Sequence, residues 1–241
     1  FITVAVTSFT VNMGKPLTLS NLSLKAWEKV FSRASIISST TNSFLTATAA
    51  AFFGILISCV MAYLLQRTNV KGKRIPDFLI TLGSGTPSVT IALALIISMS
   101  GKFGINIYNT LTIMVVAYMI KYMLMGMRTV VSAMSQVHPS LEEAAQISGA
   151  NWLRMLKDVT LPLIGASIVA GIFLIFMPSF YELTMSTLLY SSNTKTIGYE
   201  LYIYQTYHSQ QVASALATAI LLFVILVNYI LSKLTKGQFS I

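Results

Sequence analysis

Residues 138–162 read HPSLEEAAQISGANWLRMLKDVTLP, the most polar stretch of the chain and the one with the clearest local signals. Ser140 followed three residues later by Glu143 is a capping box: the hydroxyl accepts from the Glu143 amide and the carboxylate returns to the Ser140 amide, so a helix is expected from Leu141. Gly149 sits where a left-handed residue would end that helix, because a residue without Cβ takes positive φ at little steric cost. Asn151 can cap a second short helix. That helix is expected to end near Thr160, since Pro162 disfavours helical geometry at Leu161 and itself suits the first turn of a following helix. The stretch therefore reads as two short helices.

On the first of them Leu141, Ala145 and Ser148 share a face with Ala144 beside it, while Glu142 and Glu143 fall elsewhere. The second carries an apolar stripe of Trp152, Met155, Leu156 and Val159 opposite Arg154, Lys157 and Asp158. Small alanines permit close approach of another surface, and the stripe suits a membrane face, so the residues alone fit either a docking element or a connector resting on lipid.

Outward from this stretch the chain is apolar. Of its 241 residues 55% are hydrophobic and 10% charged, against roughly 25% charged in soluble domains, and the mean hydropathy is +0.74. That composition excludes an ordinary soluble fold and requires lipid as solvent. The net charge of +9 lies in loops between apolar runs, so it reads as membrane orientation and implies no nucleic-acid partner. Cys59 is the single cysteine, which excludes an intrachain disulfide, and it reads as a small buried hydrophobe.

Reading from charge to charge gives five full crossings. The first lies between Arg33 and Arg67, most apolar over residues 44–65, and the others cover about 78–100, 103–127, 159–181 and 212–231. Residues 1–9 form an apolar stub too short to cross a bilayer, so the reading is a truncated chain with part of a sixth span and more membrane helix ahead of Phe1. Lys121, the one base inside a run, is expected to extend to the headgroups, with a substrate-path role as the alternative. Two runs contain breakers, Gly83-Ser84-Gly85-Thr86-Pro87 and Pro178, which read either as kinks lining a pathway or as tolerated packing.

Residues 66–74 carry four bases and no acid, which makes that loop cytoplasmic. Counting crossings from it puts 128–160 and the tail with Lys233 and Lys236 on the same side. Nine bases then lie inside and six outside, and residues 10–38, with four of the outer ones, run against the asymmetry. There is no repeat of short period, so a solenoid is excluded and residues 1–241 read as one helical membrane domain.

Glu143-Ala144-Ala145, three residues, Gly149, nine residues, Val159-Thr160-Leu161-Pro162 resembles the EAA loop of ABC importer permeases, E-A-A-x3-G-x9-I-x-L-P, with Val159 for Ile as the one departure. The resemblance implies an all-α polytopic membrane bundle of the type I importer permease (MetI-like) fold, in the bacterial cytoplasmic (inner) membrane. It implies that residues 128–161 form a cytoplasmic coupling loop, with Ser140, Leu141, Glu142, Glu143, Ala144, Ala145, Gly149, Val159, Leu161 and Pro162 meeting a cytosolic ATPase. The implied partners are two ATPase subunits, a second permease half (identical, different or fused) and an extracytoplasmic substrate-binding protein. ATP and Mg would then bind the ATPase, with no cofactor on this chain. Pro16-Leu17-Thr18-Leu19, Asn42-Ser43 and the segment from Glu182 to Leu189 look most like permeases for ferric iron; permeases for polyamines, thiamine and phosphonates are near relatives. Because some iron permeases are fused duplicates, the chain is expected to be a fragment or one half of a longer permease.

Glu182, with Pro87 and Pro178, is a candidate for the substrate path or gate; the bland alternative is a hydrated interfacial acid. The tyrosines at 190, 199, 202, 204 and 207, with His208, suggest phenolate ligation, which an aromatic belt explains more cheaply. His138 and His208 lie on opposite sides in this topology, with no acid or Cys at ligand spacing, so no metal site is expected. No set of residues suggests catalysis and no G-x-x-x-x-G-K-[ST] occurs, so the chain is not expected to be an enzyme and ATP hydrolysis is expected elsewhere. An ion-coupled secondary transporter is the remoter alternative, and it would need acids or broken helices near the midplane.

Overall fold

The computed structural model describes residues 1–12, 14–16 and 18–234. Leu17 and Lys236, both used above, lie outside the described residues. In chain order the helices are α1 (Ile2–Thr7), α2 (Lys25–Ser32), α3 (Ala34–Arg67), α4 (Arg74–Gly85), α5 (Ser88–Met99) and α6 (Leu111–Gln136). There follow α7 (Pro139–Ile147), α8 (Trp152–Met155), α9 (Leu161–Phe180), α10 (Thr184–Leu189), α11 (Ile197–Tyr207) and α12 (Gln210–Leu234). Among the described residues the fold is helical with two isolated bridges and no sheet. In lipid each backbone polar group needs an internal partner, and helices provide it.

Four helical stretches are long and apolar enough to cross a membrane, Ala34–Arg67, Leu111–Gln136, Trp152–Phe180 and Gln210–Lys233. The first has 34 residues, about 51 Å at 1.5 Å per residue, well beyond a hydrocarbon core of about 30 Å. The run expected to cross at 78–100 is two helices, α4 and α5, bent by 112° at the break, and the pair together is long and apolar enough for a fifth span. Pro87 is the cause: it offers no amide and forces Thr86 out of helical geometry, to φ −72° and ψ 138°. The next span starts at Leu111, eight residues later than hydropathy suggested, because Gly101 (φ 94°), Gly104 (φ 83°) and Asn109 (φ 63°) hold 101–109 in a non-helical turn.

The chain divides into two compact units. One comprises Phe1–Thr46, Ser88–Met114 and Ser179–Ile230. Within it α10 packs against α5 and α11. Residues 193–197 are fastened to α3 by side chains on one turn: Asn42 Nδ2 donates to the carbonyls of Asn193 (3.2 Å) and Lys195 (2.9 Å), and Ser43 Oγ accepts from the Ile197 amide at 2.8 Å. Asn21, buried, orders the segment before α2 by donating to the Asn12 carbonyl (3.0 Å) and accepting from the Asn12 amide (2.9 Å).

The second unit comprises Ala47–Pro87, Val115–Pro178 and Leu231–Ile241. Its core gathers Ile55, Ala62, Val130, Met134, Val137 and Ile164, with half-buried Cys59 packed on them. Glycines allow the helices to close up. A Cβ on Gly126 would stand 2.7 Å from Ile175 Cδ1 and 3.2 Å from the Gly171 carbonyl, and one on Gly171 would stand 2.7 Å from Ile55 Cδ1. Such small-residue crossings drive helix association where lipid removes the hydrophobic term.

Lys121 belongs to this unit and does not extend to the headgroups. Its Nζ donates to the carbonyls of Ser84 (3.0 Å) and Thr86 (2.8 Å). Ending α4 at Gly85, before Pro87, strands carbonyls, and a cation at a helix C-terminus both bonds them and opposes the helix dipole.

Candidate coupling site

Helix α7 begins earlier than the capping box suggests. Pro139 takes the first helical position, where its fixed φ and missing amide fit, and His138 is the cap. His138 Nδ1 accepts from the Ser140 amide at 3.2 Å and lies 2.8 Å from Ser140 Oγ, so Ser140 is held by the ring and not by Glu143. The other end is as read: Gly149 has φ 88°, and the Ala150 amide reaches back to the Ala145 carbonyl at 3.0 Å. Asn151 Oδ1 accepts from the Arg154 amide at 2.9 Å, the cap expected for α8.

The expected stop near Thr160 does not occur. Residues Leu156–Thr160 form a π turn, and the helical path runs on through Leu161 (φ −62°, ψ −41°) and Pro162 into α9. A wide i→i+5 turn tolerates the missing Pro162 amide, so the segment after α7 is the root of a 29-residue helix.

The residue that organises the site is Glu142. It is buried, and its Oε2 accepts from Arg67 Nε at 3.0 Å while its Oε1 accepts from Thr160 Oγ1 at 2.9 Å. The Arg67 guanidinium also donates through Nη2 to the carbonyls of Met134 (3.2 Å) and Val137 (2.7 Å). Arg67 ends α3, Met134 and Val137 flank the end of α6, and Thr160 sits in the π turn. Four chain segments therefore meet on one buried ion pair. Desolvating two charges is costly and is offset here by hydrogen bonds filling both groups, so the pair specifies geometry more than it adds stability. Trp152 Nε1 donates to Tyr63 OH at 2.8 Å, a second tie between α8 and α3.

The resemblance places Glu142 among the residues that meet the ATPase, whereas its side chain is buried on Arg67 and Thr160 inside the chain. The signal was present: Arg67 opens a loop of four bases with no acid to pair them. The remaining residues of the loop face outward. Leu141, Glu143, Ala144, Gly149, Leu161 and Pro162 are exposed, Ala145 and Val159 half-buried, and Ile147 is 88% exposed at the end of α7. Of the expected apolar stripe Met155 is buried and Trp152 exposed.

In the other unit Glu182 is buried and is not a hydrated acid. Its Oε2 accepts from the amides of Met185 (2.8 Å) and Ser186 (3.2 Å) at the start of α10, and Ser186 Oγ donates to the Glu182 carbonyl at 2.7 Å. Pro178, inside α9 near its end, and Pro87, directly before α5, belong to the unit of Glu142. Tyr190 and Tyr199 stack with ring centroids 4.1 Å apart. Burial, then the hydrogen bond with Tyr190, pushes the Tyr199 phenol up to about 12, so it stays protonated at neutral pH. Among the described residues no three His, Cys, Asp or Glu side chains come close enough to hold a metal ion.

Long apolar helices with one bonded set of short polar helices are the make-up of a multi-pass membrane protein. The family of binding-protein-dependent transport system inner membrane components matches residues 54–236, and the chain belongs to it. The chain is similar to the Fe(3+)-transport system permease protein FbpB 2 of Haemophilus influenzae, 24% identical over 82% of the chain and 39% of that protein. It is also similar to the trehalose/maltose transport system permease protein MalG of Thermococcus litoralis, 28% identical over 98% of the chain and 89% of that protein. The chain spans only 30% and 39% of the length of two Haemophilus relatives. In fold it matches a chain from a bacterial ABC transporter that imports the acidic polysaccharide alginate, with a TM-score of 0.76 over 99% of this chain and 89% of that one at 16% identity. The fold is that of ABC importer permeases.

Proposed function

We propose that the chain is a transmembrane permease subunit of a binding-protein-dependent ABC importer, contributing part of the substrate pathway and taking its drive from a separate cytosolic ATPase through residues 128–161. The observation that carries this reading is the Glu142 lock. A push on the exposed face of α7, at Leu141, Glu143, Ala144 and Ile147, moves Glu142. Through Arg67 and Thr160 it then moves the ends of α3 and α6 and the root of α9 together. Glu142 acts inside the chain, and Glu143, Ala144 and Gly149 meet the partner.

The partners in this reading are two ATPase subunits, which bind ATP and Mg, a second permease half and an extracytoplasmic binding protein. The cargo we propose is ferric iron, supported by the Haemophilus relative and by residues 42–43 and 182–189. A second reading, a disaccharide cargo, is favoured by the Thermococcus relative, which aligns along nearly its whole length.

The test is uptake into vesicles containing the reconstituted transporter, supplied in turn with iron-loaded and sugar-loaded binding protein. Uptake should require ATPase subunit and nucleotide. Uptake driven by an ion gradient without ATPase would overturn the assignment. Glu143→Lys and Gly149→Val should each abolish uptake and co-purification of the ATPase.

A further inference from the structure

Residues 10–38 place four bases on the side that the charge count assigns to the exterior, an excess that neither the fold nor the proposed coupling uses. Three of them, Lys25, Lys29 and Arg33, lie on α2 or directly after it, with Glu28 as the one acid among them. At 100° per residue Ala26 and Val30 fall together, and both are buried. Lys25 and Lys29 project to one side of that face and are exposed. Leu24 and Phe31 project to the other side and are 67% and 70% exposed. Two large apolar side chains bared beside cations on a short helix are the composition of an element lying in a membrane surface. Trp27 stacks between Phe9 (5.6 Å) and Phe31 (6.2 Å), as in an interfacial aromatic belt.

From Phe31 an apolar slot of about 330 Å³ runs along the first part of α3, lined by Phe31, Ile37, Phe44, Phe180, Ile220 and Phe223. The hydroxyls in its wall are spent on their own helix: Thr40 donates to the Ile36 carbonyl (2.8 Å) and Thr41 to the Ile37 carbonyl (3.0 Å). Ile36 to Phe44 covers about 12 Å of helix axis, so the slot descends into the depth of the span. A soluble protein cannot follow it there, whereas an acyl chain can. Arg33, at the head of α3, gives one donor to Tyr204 OH at 2.8 Å and keeps the rest of its fork.

We propose that α2 and this slot form a binding site for an anionic phospholipid, its phosphate held by Lys25, Lys29 and Arg33 and one acyl chain lying in the slot. Each cation near an anionic headgroup favours it by roughly fivefold.

The test is native mass spectrometry of the full-length protein exchanged into an equimolar mixture of phosphatidylglycerol and phosphatidylcholine of the same chain length. The protein should retain phosphatidylglycerol over phosphatidylcholine by about fivefold or more. Lys25→Gln/Lys29→Gln, both on the exposed face, should reduce that ratio by about fivefold or more without loss of total lipid. Ala219→Phe, which fills the slot from α12, should reduce retention of both lipids. Equal retention by the unaltered protein, or a preference undiminished by the double substitution, would overturn the site. So would a double variant that keeps its lipid ratio but loses affinity for the extracytoplasmic binding protein, which would assign the cations to a soluble partner.

Discussion

Glu142 and Glu182 are both buried, and the bonds to Glu142 come from distant segments while two of those to Glu182 come from the helix start that follows it. Glu142 meets a guanidinium 75 residues earlier in the chain and a hydroxyl 18 residues later. Glu182 takes donors from amides three and four residues ahead of it. A carboxylate filled by its own helix start stabilises one short element, as a cap does. A carboxylate filled from distant segments makes those segments move as a group. The difference separates a local anchor from a candidate transmission point, although the two residues look alike in composition and burial.

Substitution at Glu142 should break that comparison most severely. Glu142→Ala leaves Arg67 buried without its counter-ion, at a cost of about 3–5 kcal/mol in unfolding in detergent, with uptake and ATPase co-purification lost. Replacing both partners, as Arg67→Met with Glu142→Leu, should restore much of the stability and none of the transport. A Glu142→Ala loss below about 1 kcal/mol would mean that the pair carries no strain between the segments.

Gly198→Ala should rank second, because its Cβ would collide with the Glu182 carbonyl. Backbone cannot yield as a side-chain tip can, so about 1–3 kcal/mol is expected from the shift in thermal midpoint. Glu182→Gln keeps an oxygen able to accept from the α10 amides and should cost about 1 kcal/mol, with the uptake ratio of cationic to neutral cargo unchanged. A selective fall in cation uptake at unaltered stability would move Glu182 from anchor to pathway. The smallest effect should come from Trp152→Phe, which removes the bond to Tyr63 OH but preserves the edge-to-face ring contact. About 0.5 kcal/mol is expected, visible as a small shift in chemical unfolding.

Much of the candidate site was legible before any coordinates. The left-handed turn at Gly149 and the Asn151 cap follow from backbone chemistry within four or five residues, and both appear where the chain predicts them. Two local readings failed for local reasons. Pro139 and His138 outcompete Ser140 for the start of α7, since a ring nitrogen and a pre-set φ act two residues sooner. The π turn absorbs Pro162 without ending the helix.

Lys121 failed for a different reason. Its length invites extension to the headgroups, but the carbonyls of Ser84 and Thr86 at the end of the broken helix are nearer and take its donors.

The amino-acid sequence by itself determined that this chain dissolves in lipid, where its apolar runs lie, which loop is the polar one, and the turns at Gly149 and Asn151 within it. These depend on transfer free energies summed over a run and on hydrogen bonds within a turn. Only the tertiary structure decided that Arg67, Glu142 and Thr160 share one buried charge, that Lys121 closes a broken helix, and that Gly126 and Gly171 let two spans touch. Each joins positions at least 18 residues apart, and whether they meet is set by how the helices cross, which no property of the separate segments contains.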